Sequence, residues 1–148
     1  MKPIRRVLHA SDFSAASRRA FAAAVAMAKS LDAKLTIVYV LAPVGPTVPE
    51  QYLDAVTLDQ LNKQARHWSA RQLDKLAGNA KRAGIRATTL LREGDPAHQI
   101  VRAGRSMQAD LIVVGTHGRR GLPKFFLGSV AGRVVAMAPC PVVTVRGK

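Results

Sequence analysis

Two hydrophobic rhythms alternate along the chain: short apolar runs rich in β-branched residues, and longer stretches where apolar side chains return every three or four positions. Ile4 to Ala10 is a β-leaning run closed by Ser11-Asp12-Phe13-Ser14. Ser14 is placed to cap a helix whose apolar positions Phe21, Ala24, Val25, Ala28 and Leu31 recur at helical spacing. Lys34 to Leu41 is nearly continuously apolar and β-branched, as expected of a strand covered on both faces. Prolines 43, 46 and 49 with Gly45 predict a loop. A long helix follows from about Tyr52 to Ala83, with Leu58, Leu61, Ala65, Trp68, Leu73 and Leu76 on one apolar stripe, and Gly84 ends it. On this pattern Trp68 belongs to the core.

Ile85 to Leu91 is predicted as the third strand. Asp95-Pro96 reads as a cap and first-turn proline for a helix reaching about Met107. Asp110 to Gly115 is a fourth strand, the helix after Gly128 runs to about Ala138, and Pro141 to Val145 supplies a last strand. Strands separated by helices imply an α/β fold, one open parallel sheet with helices on both faces. Its ligands are expected beyond the carboxyl ends of the strands, where strand order reverses. Three places qualify: Ser11-Asp12, Val40-Leu41 and the turn after the fourth strand.

That last turn carries the most informative motif: Gly115-Thr116-His117-Gly118, nine residues, then Gly128-Ser129. Glycines allow a tight turn and close backbone approach, and the first amides of the next helix point outward with the positive end of its dipole behind them. Ser129 is expected to cap that helix or to bind a phosphate oxygen. Arg119, Arg120 and Lys124 give the loop the right charge. Neither the Walker loop nor the dinucleotide glycine spacing occurs. On the residues alone, Asp12 reads equally as a turn residue satisfying its own backbone or as a ligand contact. His117 reads as a phosphate contact or a solvent-facing side chain, and His9 as a strand residue with a local partner.

Length changes the picture little: 148 residues form one domain, residues 1–148, with a real core. Met1 to Ala10 offers no secretory leader and no apolar run approaches the roughly 20 residues of a membrane span, so a soluble, cytoplasmic protein is expected. The lone Cys140, between Pro139 and Pro141, excludes an internal disulfide and reads as a small buried apolar residue. No histidine pair has metal spacing, so no protein-held metal is expected. Charge matters more: 23 basic against 9 acidic residues give +14. Such a field steers phosphates and leaves room for non-specific nucleic-acid contact. Scattered cations and only 5% aromatics provide no stacking platform for bases.

Four motifs in order resemble the universal stress protein family: Ser11-Asp12-Phe13-Ser14, Gly94-Asp95-Pro96, the Gly-x-x-Gly-x9-Gly-Ser pattern, and Pro139 to Val142. The resemblance covers the whole chain. It implies a five-stranded sheet of order 3-2-1-4-5, an adenine-nucleotide pocket of the ATP-binding branch, and a homodimer through the last strand. By resemblance Ser11 and Asp12 lie by the ribose and phosphates, and Val40 offers backbone groups to adenine. Gly115, Thr116, His117, Gly118, Gly128, Ser129 and Val130 line the phosphate path. Mg²⁺ would arrive with ATP.

The function expected is therefore an ATP-binding regulator of a stress response, with an unknown protein partner. No catalytic residue stands out, so ATP turnover, if any, should be slow. The alternatives are a slow ATP hydrolase or phosphotransferase, or a basic nucleic-acid-associated dimer. A proline at Val143 is expected to weaken the dimer by removing a ladder donor.

Overall fold

The computed structural model describes residues 1–42, 54–116 and 127–147. Five strands, β1 (Arg6–Ala10), β2 (Lys34–Leu41), β3 (Ala87–Glu93), β4 (Leu111–Gly115) and β5 (Val142–Val145), form one parallel sheet in the order β3-β2-β1-β4-β5. Helices α1 (Ala15–Ser30) and α2 (Ala55–Arg82) cover one face, α3 (Pro96–Ser106) and α4 (Ser129–Met137) the other. The fold class, strand order and helix placement expected from the sequence are all present.

Alternation within each strand feeds two cores. Val7, Leu35, Ile37, Leu111 and Val113 pack under α1 and α2, while Leu8, Val38, Ile112 and Val114 pack under α3 and α4. Each large aliphatic fully removed from water contributes about 2 kcal/mol. The helices approach closely through small residues: α1 buries Ala20, Ala24 and Ala28. On α3, a Cβ added at Gly104 would lie 3.1 Å from Ile112 Cδ1, so the helix sits against the sheet where only glycine fits without a shift. Asp110, just ahead of β4, fixes the start of β1, since its Oδ2 accepts the amides of Arg5 and Arg6, each at 3.0 Å.

Three local expectations are corrected. β3 starts at Ala87, not Ile85, because α2 leaves through a left-handed Gly84 (φ +87°), and the amides of Gly84 and Ile85 return to the carbonyls of Lys81 and Ala80. α2 starts at Ala55 with Asp54 as its cap; the predicted start at Tyr52 lies outside the described residues. Trp68 is not core, being 46% exposed. The buried face of α2 runs instead through Ser69, Leu73, Ala77 and Ala80. A serine fits there because its hydroxyl donates to the carbonyl of Ala65 at 2.6 Å.

Candidate functional site

β1 is the point where strand order reverses: α1 crosses to β2 on one side, and α3 brings the chain to β4 on the other. The carboxyl ends of β1, β2 and β4 therefore open on one cleft, a cavity of about 430 Å³. Ser11 and Asp12 line it from β1, Tyr39 and Val40 from β2, and Gly115 and Thr116 from β4. Gly128, Ser129 and Val130 complete it from the amino end of α4. Eight of the ten residues selected from the sequence thus surround one space. The other two, His117 and Gly118, lie outside the described residues, as do Arg119, Arg120 and Lys124.

The turn after β1 is tied by side chains. Ser11 Oγ accepts the amide of Phe13 at 3.1 Å and shares a 3.0 Å hydroxyl contact with Ser17, whose Oγ accepts the amide of Asp12 at 3.3 Å. Asp12 Oδ1 accepts the amide of Ser14 at 2.9 Å. The turn reading of Asp12 is therefore observed, and its place is compatible with a ligand contact. One oxygen serves the turn, and the carboxylate still lines the cavity. Ser11, buried and committed to the turn, is held more tightly than a ligand-facing hydroxyl needs to be.

At α4 the expected cap is not the observed one. Gly128 is the N-cap (φ −55°, ψ 152°), and among the described residues no side chain caps the helix. Ser129 is already the first helical residue, so its hydroxyl lies past the capping position. Gly128 donates its amide to Thr116 O at 2.7 Å and accepts from Gly132. The amides of the next residues have no acceptor within the helix, and none among the described residues. Beside α4, Arg133 forms two 3.0 Å hydrogen bonds with the Asp95 carboxylate, which also accepts the amide of His98. The Arg133 contact, foremost, holds the Asp95 carboxyl below its ordinary range.

Tyr39, Ser17, Pro96 and Ile100 also line the cavity, and sequence reasoning missed them. The apolar run of β2 marked a strand without marking which of its residues faces the cleft. Tyr39 could have been found as the polar-tipped aromatic at that strand's carboxyl end. Burial raises the Tyr39 hydroxyl above its usual value, with the negative charge of Asp12 adding to the effect.

Other candidates lie elsewhere. His9 is fully buried in β1, where Nδ1–H donates to Val113 O at 3.0 Å and Nε2 has no partner among the described residues. Burial lowers its pKa to about 4 despite that hydrogen bond. Cys140 is half-buried rather than fully enclosed, and burial raises its thiol. Among the described residues no three His, Cys, Asp or Glu side chains gather to hold a metal ion, and no helix is long and apolar enough to cross a membrane. A larger hollow of about 820 Å³, lined by Arg6, Lys34, Lys81 and Arg86, lies at the opposite pole, by the amino ends of the strands. There the carboxyl end of α2 arrives with its negative dipole end, so its cations already have a structural use.

Comparison with known proteins agrees with this architecture. Universal stress protein YxiE of Bacillus subtilis is 32% identical over 150 residues, covering 95% of this chain and 98% of its own. The structure of UspA from Lactobacillus plantarum superposes with a TM-score of 0.82 at 28% identity, covering 99% of this chain and 100% of its own. A universal stress protein solved in complex with cAMP superposes at 0.71 with 25% identity, covering 98% of both chains. The profile of the universal stress protein family matches residues 3–146, and the chain belongs to that family.

Proposed function

We propose that this protein binds ATP in the cleft and acts as a nucleotide-dependent regulator of a stress response. One observation carries the reading: the only described helix without a side-chain cap is α4, and its bare amino end opens into the cavity at the strand switch point. Helix amides and the dipole end bind phosphate without a long side chain. The cavity volume lies within the range of about 300–1,000 Å³ for small-molecule sites. Phosphates would sit against Gly128, Ser129 and Val130, the ribose near Asp12, and adenine beside Val40 and Tyr39. The relative solved with cAMP supports an adenine nucleotide as the ligand class. Asp12 is the one carboxylate lining the cavity among the described residues, so Mg²⁺ would be held mainly by the phosphates. Its carboxylate is already partly used by the turn, which favours binding over rapid turnover.

Calorimetric titration with Mg-ATP tests this. Gly128→Val places a branched side chain where phosphate approaches, at backbone angles that valine adopts readily. Binding should be lost while circular dichroism stays unchanged. ATP binding equal to the wild type would defeat the reading.

The partner surface we propose is β5, one of the sheet's two edge strands, pairing with a second copy. The carbonyls of Pro141 and Val145 accept from the amides of Ile112 in β4 and of Thr116 just past it. With the two-residue period of a strand, Val143 also faces β4, while Val142 and Thr144 face the outer edge. A proline at Val143 would therefore break the sheet itself, so the informative substitution is Thr144→Pro. Light scattering should give a dimer for the wild type and a monomer for Thr144→Pro; a monomeric wild type at micromolar concentration would reject the dimer.

A further inference from the structure

Phe13 occupies the left-handed region at φ +62°, a conformation that costs a bulky aromatic residue and is kept only where surroundings enforce it. Two sets of contacts hold it: the turn's own hydrogen bonds, Phe13 amide to Ser11 Oγ and Ser14 amide to Asp12 Oδ1, and the packing of its ring. Its ring lies 4.6 Å from that of Tyr39, tilted 34°, and 5.5 Å from the Trp68 ring, edge-on at 86°. Such aromatic contacts have preferred geometries and resist small displacements. Phe13 is also the link between two residues with uses in the cleft: Asp12 before it lines the cavity, and Ser14 after it caps α1. The Ser14 amide in turn holds Asp12 Oδ1. Tyr39 contacts Phe13 on one side and lines the cavity as well. Trp68, on the far side, is the chain's single tryptophan and is half-exposed on α2.

We propose that Phe13 is a positioning residue for the cleft: clamped between Tyr39 and Trp68, it holds the left-handed turn that presents the Asp12 carboxylate to a ligand, and it thereby connects the cavity to the outer face of α2. A ligand that draws on Asp12 must load this turn, and the load passes to Trp68 through ring contacts rather than through the backbone. The ligand side of this inference rests on the nucleotide reading above; the link between turn and tryptophan does not.

The test uses Mg-ATP titration together with emission of Trp68 excited beyond the tyrosine band. Glycine at position 13 relieves the φ cost while deleting the ring, and alanine deletes the ring but keeps the cost, so the two variants together separate strain from stacking. Phe13→Gly and Phe13→Ala should each weaken ATP binding about tenfold and abolish the ATP-induced change in Trp68 emission, whereas Phe13→Tyr stays within about twofold of the wild type. ATP binding by Phe13→Gly within about twofold of the wild type, with the emission change retained, would overturn the proposal. A ligand-free arm stands apart from nucleotide binding. Asp12→Ala should shift Trp68 emission in the otherwise wild-type protein and add nothing in a Phe13→Ala background. An unshifted emission in the first case overturns the link even if ATP binds. A shift there supports it even if the wild type binds no ATP, an outcome that would sink the nucleotide reading alone.

Discussion

α3 and α4 pack side by side on one face of the sheet, and their amino ends are built in opposite ways. α3 begins at Asp95, whose carboxylate takes the amide of His98 at 3.0 Å, with Pro96 at the first helical position and Arg133 across from it. α4 begins at Gly128 with no side chain to give. α1 and α2 follow the α3 pattern, with Ser14 accepting from Ser17 and Asp54 from Thr57. At α1, α2 and α3 the chain places a side-chain oxygen on the helix start, even though Ser17 of α1 and Pro96 of α3 also line the cleft. At α4 it places none, and the helix is tied down from neighbouring elements by the Thr116 carbonyl and the Asp95–Arg133 pair.

Acid separates the two kinds of helix start, once a larger effect from β1 is removed. His9 has a folded-state pKa of about 4 against an ordinary 6.5, so between those values the unfolded chain holds the proton and the native protein does not. Stability is then full above pH 6.5 and falls as pH drops toward 4, by about 3 kcal/mol in all. Denaturant unfolding at a series of pH values should show this slope in the wild type and a nearly flat line in His9→Leu. An unchanged slope in the variant would assign the acid sensitivity elsewhere. Hydrogen bonds also hold Asp54, Glu93 and, despite its desolvation, Asp110 below their ordinary values, so in that background the α3 cap is read as the difference that Asp95→Asn makes. Asp95 titrates below its ordinary 3.8, chiefly through Arg133, so its contribution is complete above that value and is lost as pH falls through the lower folded-state value. Nothing titrates at Gly128.

A smaller contrast lies between two serines. Ser14→Ala removes a true cap and should cost about 1 kcal/mol of stability. Ser129→Ala removes no cap, so its thermal midpoint should match the wild type, while ATP affinity falls by roughly 1 kcal/mol for one lost donor. Equal thermal losses in the two variants would erase the distinction between the helix starts.

Much of this was legible in the sequence because the relevant signals are local. The β-branched run of β2 and the Ser14 and Asp95 caps each state their structure within a few residues. The turn geometry around the cleft is also local, and Ser11, Asp12, Gly115 and Gly128 converge because the crossover rule sends every strand's carboxyl end to the same edge. The misses came from contacts distant in sequence. Trp68 sits on a plausible apolar stripe, but its partner is Phe13 in another turn, and the serine beside it takes the buried position by bonding its own helix. Tyr39 carried one sign, a polar-tipped ring at the strand's carboxyl end, but period-two patterning does not distinguish core from cleft on a strand buried on both faces. Ser129 looked like a cap because serine is a favoured capping residue; the backbone puts the capping position one residue earlier.

The most direct measurement makes α4 like its neighbours. Gly128→Asn supplies a neutral capping oxygen at backbone angles that suit it, which should raise helix stability by a few tenths of a kcal/mol, about the usual margin of asparagine over glycine. That oxygen would take the amides proposed for phosphate. Mg-ATP calorimetry and thermal unfolding, run together on the wild type and Gly128→Asn, should move in opposite directions: affinity falling at least about tenfold while the melting temperature holds or rises. If Gly128→Asn binds ATP as tightly as the wild type, the bare start of α4 is not a phosphate site and the account fails at its centre.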